Sequence, residues 1–524
     1  MAALASAAVV AALVPLAGSP ATAAPAQSGI AWHDCDNPFY VELGLQCATL
    51  DVAMDPARPS GPVVHLAVTR RAHTAAAADY QGVVLINPGG PGGSGAAMPF
   101  ISYLLPDDVA AAYDWIGWDP RGVGDTTPTL SCDPSYFDPV RPPYEPFGHG
   151  IERAWLTRSS TYAAACDAAG GDLLEHMSTL DNVRDMDSIR VALGQEKINY
   201  YGYSYGTYLG QLYATLHPDR VRRMILDSNV RSSTVWEKFN LEQNVGFEKV
   251  MQVWYRWIAK YDAVYHLGTS GRAVERTVLR ARAQLARAPK PGFGAAEFTD
   301  ALLNAGYSQY PWPGLADGLA SLVHDGDAST LQLYYGSGDD NFYAVYLATE
   351  CSDARWSRSW NVWRAENNAS YAKAPFNTWG NAWFDAPCAF WPVSGGPRPV
   401  VHGSTSLPPI LLIDQTLDGA TPFAGSLEAR QLLPTARLIA VLGGTTHAST
   451  PDGNPCVDPQ IADYLRTGAI VDRKRGRGPD TTCAALPQPV PTQLAPASTA
   501  KAGARKELAR ALVRAALAQV PRAA

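Results

Sequence analysis

An α/β fold, with a mostly parallel central sheet broken by a large helical insertion, is what three features of this sequence predict. Short apolar runs each stop at a loop rich in Gly or Asp, a helical pattern lies between two of them, and a long Trp- and Tyr-rich stretch separates the early runs from two late ones. Parallel strands read as continuous apolar runs because helices cover both faces of their sheet.

In chain order, Val83-Val84-Leu85-Ile86 precedes NPGGPGGSG, Trp115-Ile116-Gly117-Trp118 precedes DPRGVGDT, and Ile198-Asn199-Tyr200-Tyr201 precedes GYSYG. Residues 179–193 place apolar side chains at helical spacing, with Thr179 as N-cap, and residues 205–216 run on from the third loop as a helix. A further strand, Arg223-Met224-Ile225-Leu226, ends at Asp227. Residues 232–405 show helical segments punctuated by Gly and Pro, without strand alternation. Strands resume at Pro409-Ile410-Leu411-Leu412-Ile413 and Leu438-Ile439-Ala440-Val441. The expected organisation is a leader at 1–24, a core in two parts at 30–231 and 406–483, a cap at 232–405, and a linker and tail at 484–524. The cap is expected over the carboxyl ends of the strands, where open α/β sheets bind their ligands.

A chain of 524 residues exceeds one ordinary compact core, and 47% hydrophobic with 17% charged residues is a globular composition. A net charge of −7 excludes a general nucleic-acid footprint. The basic run Arg473-Lys474-Arg475-Gly476-Arg477 and the basic tail read as solvated surface. At the start, an apolar stretch broken by Pro15 and followed by Ala21-Thr22-Ala23 reads as a secretory leader, although its basic n-region is missing. No later stretch approaches about 18 consecutive apolar residues, so the processed chain is expected to be exported, free of the membrane and monomeric.

Eight cysteines fit export. They fall as neighbours, Cys35 with Cys47, Cys132 with Cys166, Cys351 with Cys388 and Cys456 with Cys483, and pairing in that order is the expectation among the roughly 105 connectivities open to eight cysteines. No Cys-x-x-Cys occurs and the His residues lack ligand spacing, so no metal site is expected. Residues 505–520 fit one amphipathic helix, to which no role is assigned.

Gly202-Tyr203-Ser204-Tyr205-Gly206 satisfies G-x-S-x-G between a strand and a helix, the context that gives the pattern meaning. A strained strand-to-helix turn lifts such a serine out of the sheet, near a helix N-terminus that favours developing negative charge. The serine needs a base and a carboxylate to orient that base. His447, in GGTTH, follows a late strand, whereas His402 precedes one and so stands at the wrong end of the sheet. Asp414 and Asp418 compete for the orienting role. Asp418 is preferred because it sits in the loop proper, before Thr421 and Pro422, which resemble the N-cap and first residue of the next helix. An anionic intermediate also requires backbone donors, the N–H of Tyr205 and one from the NPGGPGGSG loop. Pro88 and Pro91 have no N–H, and Gly90 is chosen among Gly89, Gly90 and Gly92. The loop lacks the G-K-[ST] ending of a phosphate-binding loop, so no nucleotide cofactor is expected.

Taken together, NPGGPGGSG, DPRGVGDT, GYSYGTYLG, LDGATP and TTHAS resemble, in that order over about residues 30–483, the secreted tripeptidyl aminopeptidases of actinobacteria, relatives of the prolyl aminopeptidases. That resemblance implies an α/β-hydrolase fold with a helical cap and removal of short peptides, tripeptides among them, from free N-termini. It places Ser204, Asp418 and His447 in the triad, Gly90 and Tyr205 in the oxyanion hole, and requires no cofactor. Asn87-Pro88 stands where prolyl aminopeptidases have His-Gly, and the tail has no family counterpart.

An exopeptidase must also hold the substrate's α-ammonium, and Glu350 with Asp353, flanking Cys351, are the candidates. An esterase or lipase would share every catalytic residue, and a non-catalytic binding protein on this fold would be expected to lack at least one.

Overall fold

The strands are β1 (His33–Asp34), β2 (Gln46–Ala53), β3 (Val63–Arg71), β4 (Val83–Asn87), β5 (Asp114–Trp118), β6 (Ile198–Tyr203), β7 (Val221–Asp227), β8 (Ile410–Gln415), β9 (Ala436–Leu442) and β10 (Thr481–Ala484). They form one sheet in the order β1-β2-β3-β5-β4-β6-β7-β8-β9-β10. Pairing is antiparallel from β1 through β3 to β5 and parallel from there to β10. The computed structural model describes residues 29–335 and 338–494. The leader expected at 1–24 and the helix expected at 505–520 lie outside the described residues.

Every residue of β4, β5, β6 and β8 is buried, which is why each reads as an apolar run. The N-terminal pair β2 and β3 lacks that signature. Alternate positions such as Leu66 and His65 face core and solvent in turn, so half of each strand is polar or exposed. The sequence reading missed these strands, together with the short β10.

Helix starts also moved. The helix Thr179–Ala192 is capped by Ser178 rather than Thr179, and Ser178 and Asp181 close a reciprocal capping box. Thr179 instead donates its hydroxyl to Asp353. The helix after β8 begins at Ala424, not Pro422, because the N–H groups of Ala420 and Thr421 are turned back onto Asp418.

Between β7 and β8 the described residues form no strand, and their elements include the helices Glu237–Lys260, Gly271–Arg287, Ala295–Tyr307, Trp312–His324, Ser329–Tyr335, Asp340–Asp353, Trp360–Tyr371 and Thr378–Asp385. One hydrophobic cluster runs from the sheet (Leu85, Leu226, Leu412) into these helices (Trp254, Leu303, Tyr343). The cap therefore shares a core with the sheet it covers.

Four disulfides join Cys35–Cys47, Cys132–Cys166, Cys351–Cys388 and Cys456–Cys483. No described helix is long and apolar enough to cross a membrane.

The DPRGVGDT motif is structural. Asp119 accepts hydrogen bonds from the Ser94 hydroxyl (2.6 Å) and from the N–H groups of Ala96 and Asp125, bracing the glycine loop after β4. Arg121, buried, forks onto Asp185 at 2.7 and 2.8 Å and donates to the carbonyls of Met54 and His176. Removing one member of a buried ion pair leaves the other uncompensated. The substitution Arg121→Met is expected to cost about 3–5 kcal/mol in denaturant unfolding, and a loss below about 1 kcal/mol, the worth of an exposed pair, would contradict this role.

Candidate active site

The carboxyl end of β6 carries the turn that sets the site. Ser204 adopts φ 54° and ψ −124°, a left-handed conformation unfavourable for a side chain and held here by its surroundings. Its N–H bonds to the Asp227 carbonyl at the end of β7 (3.1 Å). A methyl at Gly202 would stand 2.5 Å from the Gly206 carbonyl oxygen, and one at Gly206 would stand 2.7 Å from that of Asn87. Both glycines of G-x-S-x-G are thus required by backbone approach, and the helix Tyr205–Leu216 leaves directly from the serine.

The acid and base arrive on the loops after β8 and β9. His447 Nδ1 lies 2.7 Å from Asp418 Oδ2, with His447 6% and Asp418 3% exposed. Asp418 Oδ1 accepts the N–H groups of Ala420 and Thr421, each at 2.8 Å, so its second oxygen is aimed at the imidazole. With Asp418 Oδ2 accepting Nδ1–H, Nε2 is left as the basic nitrogen. Asp414 has a different environment. Burial and the charge of Asp418 push its carboxyl well above the usual range, Ser426 donates to one oxygen at 2.6 Å, and the other has no partner. Burial thus disfavours the charged form of Asp414, the form that would stabilise an imidazolium.

Ser204 and His447 line one cavity, along with Gly89, Gly90 and Tyr205. No direct hydrogen bond joins the serine hydroxyl to the imidazole. Such bonds commonly tighten only once substrate is bound. In the loop after β4, Gly89 N–H is spent on Asn87 Oδ1 (2.9 Å) and Gly93 N–H on the Gly89 carbonyl. Among the described residues, the N–H groups of Gly90 and Tyr205 meet no protein acceptor. A methyl at Gly89 would reach within 2.6 Å of the Tyr203 carbonyl oxygen and 2.8 Å of Ser204 Cβ, so the loop lies directly on the serine turn.

The far wall belongs to the cap. Phe239, Phe247, Phe342, Tyr346 and Phe384 make it apolar, and Glu350, 2% exposed, is its acidic member. Asp353 is not beside Glu350 in the cavity. Its carboxylate is consumed by Thr179 N–H (2.6 Å), the Thr179 hydroxyl (2.5 Å) and Trp236 Nε1 (3.0 Å), so it ties the cap to the core. The carboxylate next to Glu350 is Asp385, which the sequence reading missed. Asn240 Nδ2 donates to Asp385 Oδ2 (2.7 Å) and Glu350 Oε2 (3.5 Å), and Tyr346 donates to Asp385 Oδ1 (3.0 Å). Burial and the Asp385 charge raise Glu350 well above the usual carboxyl range, and burial raises Asp385 to about 8. A signal for Asp385 existed. Glu350 precedes Cys351 and Asp385 lies three residues before Cys388, and that disulfide brings the two backbones to a Cα separation of 5.1 Å.

The model of the alpha/beta hydrolase fold matches residues 82–445. A tripeptidyl aminopeptidase of Streptomyces coelicolor is 38% identical over 491 residues, spanning 90% of this chain and 89% of the relative. The serine protease Hip1 of Mycobacterium tuberculosis is 30% identical over 474 residues, spanning 84% and 89%. A carboxylesterase B of the same organism is 31% identical over 484 residues, spanning 86% and 90%.

The environments of the two aspartates make separable predictions. Asp418→Asn should slow phosphonylation of Ser204 by a fluorophosphonate by roughly 10⁴-fold, the effect of losing an orienting carboxylate, whereas Asp414→Asn should slow it by less than about 10-fold. An equal loss from Asp414→Asn would reassign the orienting role.

Proposed function

The chain belongs to the α/β-hydrolase fold family, and from that premise we propose that it is a serine exopeptidase releasing short peptides, tripeptides by its likeness to the Streptomyces enzyme, from free N-termini. The observation that carries this reading is Glu350 in the wall of the cavity that holds Ser204 and His447, with Asp385 behind it on the same Asn240 amide. A lipid or simple ester has no group needing two buried carboxylates. A peptide's α-ammonium does.

In the proposed reaction, Ser204 attacks the scissile carbonyl as its proton passes to His447 Nε2, and Asp418 stabilises the imidazolium. The N–H groups of Gly90 and Tyr205 hold the oxyanion, each contributing about 3 kcal/mol to lowering the barrier. The imidazolium protonates the leaving amine, giving an acyl-enzyme that water, activated by the same histidine, hydrolyses. This chemistry calls for neither metal nor organic cofactor. The triad, donors and acidic pair all come from one chain, so a monomer suffices. Four disulfides favour an oxidising compartment, and we place the enzyme outside the cell, acting on peptides and on neither nucleic acid nor membrane.

The acidic pair also sets the pH dependence. A carboxyl whose pKa is raised is neutral below it, so the pair loses charge, and its grip on an ammonium, as pH falls through the range near 8 given for Asp385. Above about 8 the substrate's own α-amine, with a pKa of about 7.7–8.0, loses its proton. The ratio of kcat/KM for a free peptide to that for an uncharged ester should therefore peak near pH 8, because only the free peptide carries the ammonium that the carboxylates would hold. N-acetylation of the peptide, or Glu350→Gln, should cost about 2 kcal/mol or more, roughly 30-fold in kcat/KM. Esters cleaved as well as peptides, with acetylation harmless, would favour instead the esterase reading that the carboxylesterase B relative supports.

A further inference from the structure

The serine is held by the sheet, but Asp418 and His447 stand on loops beyond the ends of β8 and β9, and the cap touches both loops. His447 N–H donates to the Tyr307 carbonyl (2.8 Å), and Gln309 N–H donates to the Thr446 hydroxyl (3.3 Å). The Tyr307 ring stands edge-on to the imidazole, with centroids 5.8 Å apart and planes at 78°. On the acid side, Gln243 Nε2 donates to the Ala420 carbonyl (2.8 Å). A methyl at Gly246 would stand 2.5 Å from the Gly419 carbonyl oxygen, and one at Gly419 would stand 3.0 Å from that of Gly306. Phe247 joins the two sides, its ring 4.9 Å from that of Tyr307 and its edge close above Gly419.

We propose that Tyr307, seconded by Gln243, is a positioning residue for the His447–Asp418 pair, so that the cap is a fixed clamp on the acid–base half of the triad as well as a cover over substrate. The inference rests on the serine-hydrolase reading of the site. It follows from the mechanical arrangement: β6 and β7 fix the nucleophile and, through Ala448 N–H on Ser228 Oγ (2.8 Å), one side of the base loop, while the helices Glu237–Lys260 and Ala295–Tyr307 hold His447 and the acid loop from the cap side. Neither Tyr307 nor Gln243 needs to touch the reacting atoms for this effect. A misplacement of about 1 Å in the base is enough to lower the rate on the order of 10²-fold.

The test is the rate of Ser204 phosphonylation by a fluorophosphonate, which reads the triad without requiring a peptide, alongside kcat and KM on a peptide. Tyr307→Ala is expected to slow phosphonylation on the order of 10²-fold and to lower kcat equally with KM nearly unchanged, while Tyr307→Phe, which keeps the ring edge, recovers most of the rate. Full-rate phosphonylation by Tyr307→Ala, a rise in KM alone, or a Tyr307→Phe enzyme as slow as Tyr307→Ala would each overturn the proposal. Should Tyr307→Ala fail to fold, Gln243→Leu removes only the hydrogen bond to Ala420, and phosphonylation at the parental rate in that variant would overturn it equally. Normal labelling of the parent without peptide cleavage would instead sink the exopeptidase reading and leave the clamp standing.

Discussion

Backbone crowding at the carboxyl end of β6 is the constraint on which the rest of the site depends. Three segments meet there closely enough to exclude even a methyl group: Gly202 against Gly206, Gly206 against Asn87, and Gly89 against Tyr203 and Ser204. That crowding turns Ser204 into a left-handed conformation and out of the sheet. It also lays the glycine loop over the start of the helix Tyr205–Leu216, so two N–H groups without protein acceptors flank the nucleophile. The strain at one residue is maintained by a sheet whose strands β6, β7 and β8 are almost wholly buried. Nucleophile and donors are therefore set before substrate arrives, which is the arrangement electrostatic stabilisation of an oxyanion demands.

What was legible in the sequence was whatever depends on local chain chemistry. The central strands announce themselves because they are apolar on both faces, and the serine turn because only glycine fits beside it. His447 and Asp418 are singled out in the sequence by their place after late strands, and the structure brings their side chains to 2.7 Å. The preference for Asp418 over Asp414 rests on loop position, and in the structure Asp418 meets the imidazole while burial raises the Asp414 carboxyl. Less legible was anything decided across the fold. β2 and β3 are half polar because one face looks outward. Asp353 and Asp385 are both buried aspartates of the cap, and only tertiary contacts send one to Thr179 and the other to Glu350. Sequence proximity to Glu350 favoured Asp353, whereas the disulfide Cys351–Cys388 favours Asp385.

The cap has a double relation to the sheet. Its apolar residues continue the core, so its helices are not free to swing as a separate body without exposing large buried side chains such as Trp254 and Trp236. Its polar contacts are selective. Asp353 reaches across to the core helix Thr179–Ala192, Tyr307 to the base loop and Gln243 to the acid loop. A cover that opened widely would break all of them, so access to Ser204 is more economically pictured through the cavity mouth than through cap displacement.

This picture bears on how a serine hydrolase becomes an exopeptidase. The triad and its donors are indifferent to the rest of the substrate, and selectivity has to come from where the cavity stops. Here its lining includes one carboxyl, Glu350, which shares an asparagine amide with Asp385 behind it, and burial raises both above the usual carboxyl range. Such a pair resists ionising twice while empty, because like charges in a low-dielectric wall repel. An ammonium delivered between them reverses that balance and makes the second ionisation favourable. On the proposed reading, this wall responds most to the one charged group that marks a free N-terminus. Discrimination against blocked peptides then comes from the carboxylates' response to the ligand, and the scissile bond is chosen by how many residues fit between that wall and Ser204.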